Sequence, residues 1–476
     1  MIAARDRRWA HGAAGPLALA GLVLLATATY LARPPDVPPL QADSQSYLDF
    51  SEIRTPGYPV FLRLVLAVAG NVDAVPVAQL ALLSAATLAA MVALARATGS
   101  LLPAVALGAL VLGNVMAVRY AFTVLTEALS MAVVLLALAL GLGHGQRSCT
   151  TTAAGISALA AVLFEIRPAS VPFVVLPAAL ALADLARGRA VLRLLLAWTL
   201  PAAAVVVAGA VATHARHGVW HTGQSFLGSN LIARAALAAE PRVTGTRDDE
   251  TAHWIAQEVA PERRVILETG NWGWRSMLGH IYGDVWTYDA FPARLAQRAA
   301  ARGETMDAYA RDLALDLIRA NPGPYATDVL VQLAAAWSLP DLMTASEAEA
   351  FQRWTHSVEP LPRVGSFPQE AHVFPAPLVF AVRAVLGASL AGSLLALLGV
   401  PLRLVAGLRP SPLAITLWGA AAALHGSLLL VALLQYAIPR YVLGQWPLIS
   451  FVLVGAATWL GGRMVGRRAV GVGWVE

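Results

Sequence analysis

The residues of this chain that are suited to chemistry fall into five short groups. These are Asp43, Asp49, Glu52 and Arg54; Arg119 and Glu127; Glu165 and Arg167; His214, Arg216, His217 and His221; and Arg440 and Tyr441. Each group flanks an apolar run, where a charge is costly and is therefore paired or functional. Asp43, between Ser44, Ser46 and the apolar runs, is the candidate general base, since a carboxylate accepts a proton best when its surroundings raise its pKa toward neutrality. The alternative is a solvated loop acid. Glu127 stands just inside an apolar run. It either pairs with Arg119 or Arg167, or serves as a second acid that orients an acceptor or ligates a divalent cation together with Asp43. Oxygen ligands of that kind suit magnesium, manganese or calcium. Arg54, Arg167 and Arg440 offer planar forks of donors that match two phosphate oxygens; the other reading pairs them with lipid headgroups or with carboxylates such as Glu165. Tyr58 and Tyr441 are either hydrogen-bonding ligands or interface anchors.

Other signals carry two readings as well. His214, His217 and His221 lie at i, i+3 and i+7, one face of a helix, a spacing that holds zinc with a carboxylate. Gly218 ends that helix, which favours plain interface or phosphate contacts instead. Asn271-Trp-Gly-Trp274 either stacks on a ring-shaped ligand or rests on headgroups. Cys149, the single cysteine, reads as an inert packing residue and excludes a disulfide scaffold.

The elements that must position these residues follow from composition. Of 476 residues 58% are hydrophobic and 13% charged, and the mean hydropathy is +0.62. A soluble domain carries about 25% charged residues, so the main solvent is a bilayer. All 34 basic residues are arginine, and the isoelectric point is near 9.6. No basic cluster interleaved with exposed aromatics accompanies that excess, which excludes a nucleic-acid partner. Without a lysine there is no P-loop. Ten apolar stretches are long enough to span, at 14–32, 74–95, 100–118, 123–143, 149–166, 169–186, 190–212, 375–398, 412–434 and 442–461. The 57–70 stretch, interrupted by Arg63, reads as a helix lying at the interface.

Arginine placement sets the orientation. With a cytoplasmic N-terminus, thirteen arginines and three acids face the cytoplasm, whereas the 213–374 loop holds fourteen arginines and nineteen acids. Both termini are therefore expected inside. The expected organisation is an N-terminal membrane module over 1–212 with a first outer loop at 33–70, an extracytoplasmic region over 213–374, and a C-terminal membrane module over 375–476. Within the large loop, Ser229 to Ala239, 304–319 and 324–337 read as helices. The five charged groups then share the outer face.

On that face the motifs carry a resemblance. Asp43-Ser-Gln-Ser-Tyr47 followed by Arg54-Thr-Pro-Gly-Tyr-Pro59, then Thr126-Glu127-Ala-Leu, Ile166-Arg167-Pro168 and Pro439-Arg440-Tyr441, resemble the GT-C superfamily of membrane glycosyltransferases. The branch they look most like contains the lipid A aminoarabinose transferases and protein O-mannosyltransferases. The resemblance implies an all-α GT-C-like fold of about ten transmembrane helices with an interfacial helix and a large extracytoplasmic loop, in a bacterial plasma membrane. It implies transfer of a sugar from a polyprenyl-phosphate donor to a glycolipid, cell-envelope glycan or protein acceptor. Asp43 would be the base, and Arg54, Tyr58, Glu127, Arg167, Arg440 and Tyr441 would bind substrate. A divalent metal is an open option, because the superfamily differs on it. Two alternatives stay open, a lipid-linked oligosaccharide polymerase or ligase and a transporter or flippase. Transporters place substrate charges near the midplane in repeated, broken helices.

Overall fold

A computed structural model describes residues 13–146, 149–186, 191–220, 227–240, 244–358, 372–408, 410–436 and 438–470. The first helices in chain order are α1 (Ala14–Ala32), α2 (Ser44–Leu48), α3 (Gly57–Ala69), α4 (Ala74–Thr98), α5 (Leu102–Gly113), α6 (Val115–Val118), α7 (Glu127–Gln146), α8 (Thr150–Ile166), α9 (Val175–Ala186) and α10 (Val191–His217). Then come α11 (Leu227–Ala238), α12 (Asp249–Glu258), α13 (Ala260–Glu268), α14 (Trp272–Val285), α15 (Pro292–Ala301), α16 (Met306–Ala320), α17 (Pro322–Ser338) and α18 (Ala345–Ser357). The chain closes with α19 (Ala376–Val405), α20 (Pro412–Leu434), α21 (Pro439–Leu443) and α22 (Trp446–Val470). Two compact units result. One comprises Met1–Gln224, Ala388–Ser427 and Leu443–Glu476, and the other Ser225–Gly387 with Leu428–Val442.

Among the described residues seven helices are long and apolar enough to cross a membrane: α1, α4, α7, Pro168–Ala186, Leu195–His217 within α10, α19 and α20. The protein is therefore all-α and carries the helices of a multi-pass membrane protein. Each of the ten expected spans overlaps a helix, with three corrections. α8 and the apolar stretch Trp446–Gly461 are shorter than the seven, and the expected 100–118 span is bent by 57° between Leu102–Gly113 and Val115–Phe122. At the break Asn114 turns extended and its side chain accepts the Met116 N–H at 3.1 Å. The carbonyls that lose helical partners there find others. Leu110 O accepts the Trp446 indole N–H at 2.7 Å and Leu112 O accepts the Tyr30 hydroxyl at 2.6 Å. Burial sorts the spans: the α7 window is 78% buried and that of Leu195–His217 11%. α7 is thus the inner helix of its unit, while the other presents its apolar surface outward, as a lipid-facing helix does.

In the second unit α11 to α18 pack around Ile232, Tyr282, Trp286, Tyr309 and Leu313. The predicted helices at Ser229–Ala239, 304–319 and 324–337 correspond to α11, α16 and α17. The remainder of this region, rich in Gly, Pro and Trp, also folds mainly into short helices. Side-chain caps start several of them: Asp248, Asn271, Thr305, and Thr344 in a capping box with Glu347. A two-residue parallel pairing joins Leu342 to His372 and Met343 to Val373. Arg234, fully buried, pairs with Asp328, donates to Ala432 O at 2.8 Å and lies 4.7 Å over the Tyr436 ring.

Candidate functional site

In the first unit the loop after α1 is tied down at two points. The Val124 N–H donates to Pro39 O at 2.8 Å, and the Ser44 hydroxyl donates to Val124 O at 2.9 Å. These bonds hold the single turn of α2 in place. Asp43, Ser46 and Tyr47 stand at i, i+3 and i+4, which puts them on one side of that turn. Arg54 meets all three: Nη2 reaches Asp43 Oδ1 at 2.6 Å, Nε donates to Ser46 Oγ at 2.8 Å, and Nη1 donates to the Tyr47 hydroxyl at 3.1 Å. The guanidinium also lies 4.3 Å from the Tyr47 ring centre. The expected phosphate ligand Arg54 is thus the anchor of the expected base Asp43.

From Tyr47 the contacts run inward. Its ring meets the buried Tyr58 edge-on at 5.1 Å, and Tyr58 donates to Gln79 Oε1 at 3.2 Å. Gln79, fully buried in α4, donates to Thr123 O at 2.7 Å. The Tyr58 hydroxyl lies within electrostatic reach of Glu127. Glu127 and Arg167, both buried, pair at 3.4 Å. Arg167 is one of the two partners expected for Glu127, and the structure brings them together. Glu165, the other carboxylate near Arg167, is 3% exposed, and neither of its oxygens has a hydrogen-bond partner.

Two glycines set this packing. A Cβ on Gly57, in the Pro-Gly-Tyr-Pro stretch, would come within 2.6 Å of the Glu165 carbonyl carbon, so only glycine lets α3 rest on the end of α8. A Cβ on Gly209 would meet the Glu165 carboxyl at 2.7 Å. Further along α10, Arg216 donates to Asp49 O at 3.3 Å and His217 packs edge-on against Phe50 at 5.4 Å. Phe50 holds a left-handed φ of 50°, uncommon for a bulky residue and kept here by its burial. The end of α8, the starts of α3 and α7 and the end of α10 therefore meet around the first loop. The pairing of His144 with Asp184 at 2.7 Å lies at the other ends of α7 and α9.

Arg440 and Tyr441 belong to the second unit. The guanidinium of Arg440 lies 5.4 Å over the Tyr441 ring and within electrostatic reach of His280. His280 bonds Asp284 at 3.3 Å. Burial disfavours its charged form, but the bond and charge of Asp284 win and raise its pKa. Trp274 packs against Trp354 at 5.2 Å and Phe351 at 5.7 Å, so it serves this unit's interior, whereas Trp272 stays exposed. His214 stacks on Trp220 at 4.0 Å, and His221 lies outside the described residues.

Asp43 and Glu127, the metal candidates, each face a guanidinium. Among the described residues no three His, Cys, Asp or Glu side chains converge as a metal site. Gln79 is the site residue that the sequence reading missed. Its signal was available: it is the one amide in the apolar α4 sequence, and a buried amide must be hydrogen-bonded.

Comparison with known protein families, with curated proteins and with solved structures returns no match to this chain. What the helices define is the coarse class, an all-α protein of the multi-pass membrane type.

Proposed function

We propose that the protein is a membrane glycosyltransferase that moves a sugar from a polyprenyl-phosphate carrier to an acceptor on the non-cytoplasmic side. The observation that carries this reading is the run of contacts from Asp43 and Arg54 through Tyr47 and Tyr58 to Glu127 and Arg167, at the ends of apolar helices. A partly exposed carboxylate, Asp43, is held in one orientation by Arg54, and a buried cation, Arg167, stands at the other end of the run; the reaction needs both. In the proposed step Asp43 takes the proton of an acceptor hydroxyl as that oxygen bonds the anomeric carbon. The bond from that carbon to the carrier oxygen breaks, and the phosphate leaves with the electron pair. Arg167 offsets the charge that develops on it. Arg54 acts as the orienting group for Asp43, and Tyr47 and Tyr58 line the approach. No step is routed through a metal. Arg440 and Tyr441 enter as donor ligands on the resemblance of Pro439-Arg440-Tyr441 alone.

The test is Asp43→Asn in purified protein supplied with a polyprenyl-phosphate sugar. Transfer is expected to fall by a factor of about 10² or more, the usual share of a general base, with expression and thermal unfolding unchanged. Transfer at the wild-type rate would remove Asp43 from the mechanism.

A further inference from the structure

We infer that the face formed by α12 and α15 is a binding site for an acidic saccharide, a ligand whose hydroxyls accompany a carboxylate or phosphate. Between these helices lies a groove of about 650 Å³ lined by Glu250, Ala293, Arg294, Gln297, Arg298 and Ala301. That volume is within the range of about 300–1,000 Å³ typical of small-ligand sites. α15 turns Leu295 and Ala299 into the core, so its helical period puts Arg294, Gln297 and Arg298 together on the groove side. Glu250, in the first turn of α12, bridges both arginines, at 3.3 Å to Arg294 and in direct contact with Arg298. Of the charged lining side chains two are guanidiniums and one is a carboxylate, and Asp248 lies within electrostatic reach of Arg298 from outside the lining.

The guanidiniums are also held in place. Arg294 lies 4.7 Å over the Trp254 ring, which packs on Phe291 at 5.7 Å. Their side chains stay 34% and 30% exposed, enough to meet a ligand. A guanidinium carries five N–H donors, more than one bridging carboxylate takes up, and its fork matches a carboxylate or phosphate. Gln297 adds a donor and an acceptor, and Glu250 adds acceptors for hydroxyls. No lining side chain is an apolar group larger than alanine, so nothing here suits an acyl chain. The inference rests on the glycosyltransferase reading only for its role, which would be to hold an acidic acceptor glycan.

The experiment uses the full chain in detergent micelles and follows tryptophan fluorescence during titration with oligogalacturonate, inorganic phosphate or neutral dextran oligomers. Saturable binding of oligogalacturonate or phosphate is expected, and which of them binds identifies the acid group. Binding should weaken as salt rises from about 0.05 to about 0.5 M. It should fall at least about tenfold, the effect of about 1.4 kcal/mol, in Arg294→Gln/Arg298→Gln with thermal unfolding unchanged. Glu250→Gln, which raises the net charge of the groove, should tighten it. Dextran binding as strongly as the acids, the double variant binding undiminished, or neither acid binding would overturn the site. Acid binding without any sugar transfer would sink the transferase reading and leave the site standing. Sugar transfer without acid binding would do the reverse.

Discussion

Arg167 is 6% exposed and Glu127 is 1% exposed, so their pairing is made away from water. Removing one member of such a pair strands a charge and typically costs about 3–5 kcal/mol. Arg167→Met is accordingly expected to lower the thermal transition sharply. Adding Glu127→Gln should restore much of the stability while sugar transfer stays lost. A single variant as stable as the wild type would mean that the pair contributes no such energy. At this scale the sequence showed which residues were costly but not which would pair. Glu127 had Arg119 and Arg167 as partners on paper, and Arg167 had Glu165 close by in the chain. Residues two apart do not face each other on a helix, which is why Glu165 and Arg167, straddling the end of α8, do not pair, and Arg167 meets Glu127, forty places upstream. The contact of Arg54 with Asp43 was equally hidden, because the two stand eleven positions apart and the chain reverses between them.

Among the elements of the first unit, α3 depends on a single position. Its first residue, Gly57, rests on backbone atoms of Glu165 and Ile166, and backbone cannot rotate aside as a side chain can. Gly57→Val is expected to push α3 off α8, costing on the order of 1–3 kcal/mol and disturbing Tyr58 and hence transfer. Gly21→Val, where a Cβ meets nothing within 4 Å, is the control and should change neither. Equal effects of the two, measured by thermal unfolding in detergent, would refute the packing argument. The start of α3 was legible, since Pro-Gly-Tyr-Pro marks a chain entry with proline in the first turn. The break at Asn114 was not, because an apolar count over twenty residues averages out one amide. The short helices of the second unit were missed for a related reason. They have no long apolar period, and their evidence lay in caps such as Thr344 with Glu347, which are local and easily passed over.

For the whole molecule, the expected arrangement has both termini and the α7–α8 connection on the cytoplasmic side. The only cysteine, Cys149, expected as an inert packing residue, instead stands just before α8 in that connection and is exposed. Hydrogen bonds from Thr151 and Thr152 hold its thiol down to about 7. A membrane-impermeant maleimide is therefore expected to label Cys149 in opened cells and spare it in intact ones. The labelling rate should rise roughly tenfold per pH unit below 7 and level off above 8, because the thiolate is the reacting form. Thr151→Val should slow labelling at pH 7. Labelling in intact cells would reverse the orientation.

The sequence by itself determined the solvent, the helical class, the positions of the apolar runs and the small set of charges that break their pattern. These are sums of transfer free energies along the chain, and each residue contributes to them whatever its neighbours in space. Only the tertiary structure decided that Asp43 is held by Arg54, that Glu127 rather than Glu165 takes Arg167, that Gln79 anchors Tyr58, and that two arginines and a glutamate share a groove on α12 and α15. Those choices depend on distances of a few ångströms between residues far apart in sequence, among partners whose charges are alike. Composition and spacing weigh such partners equally, and packing separates them.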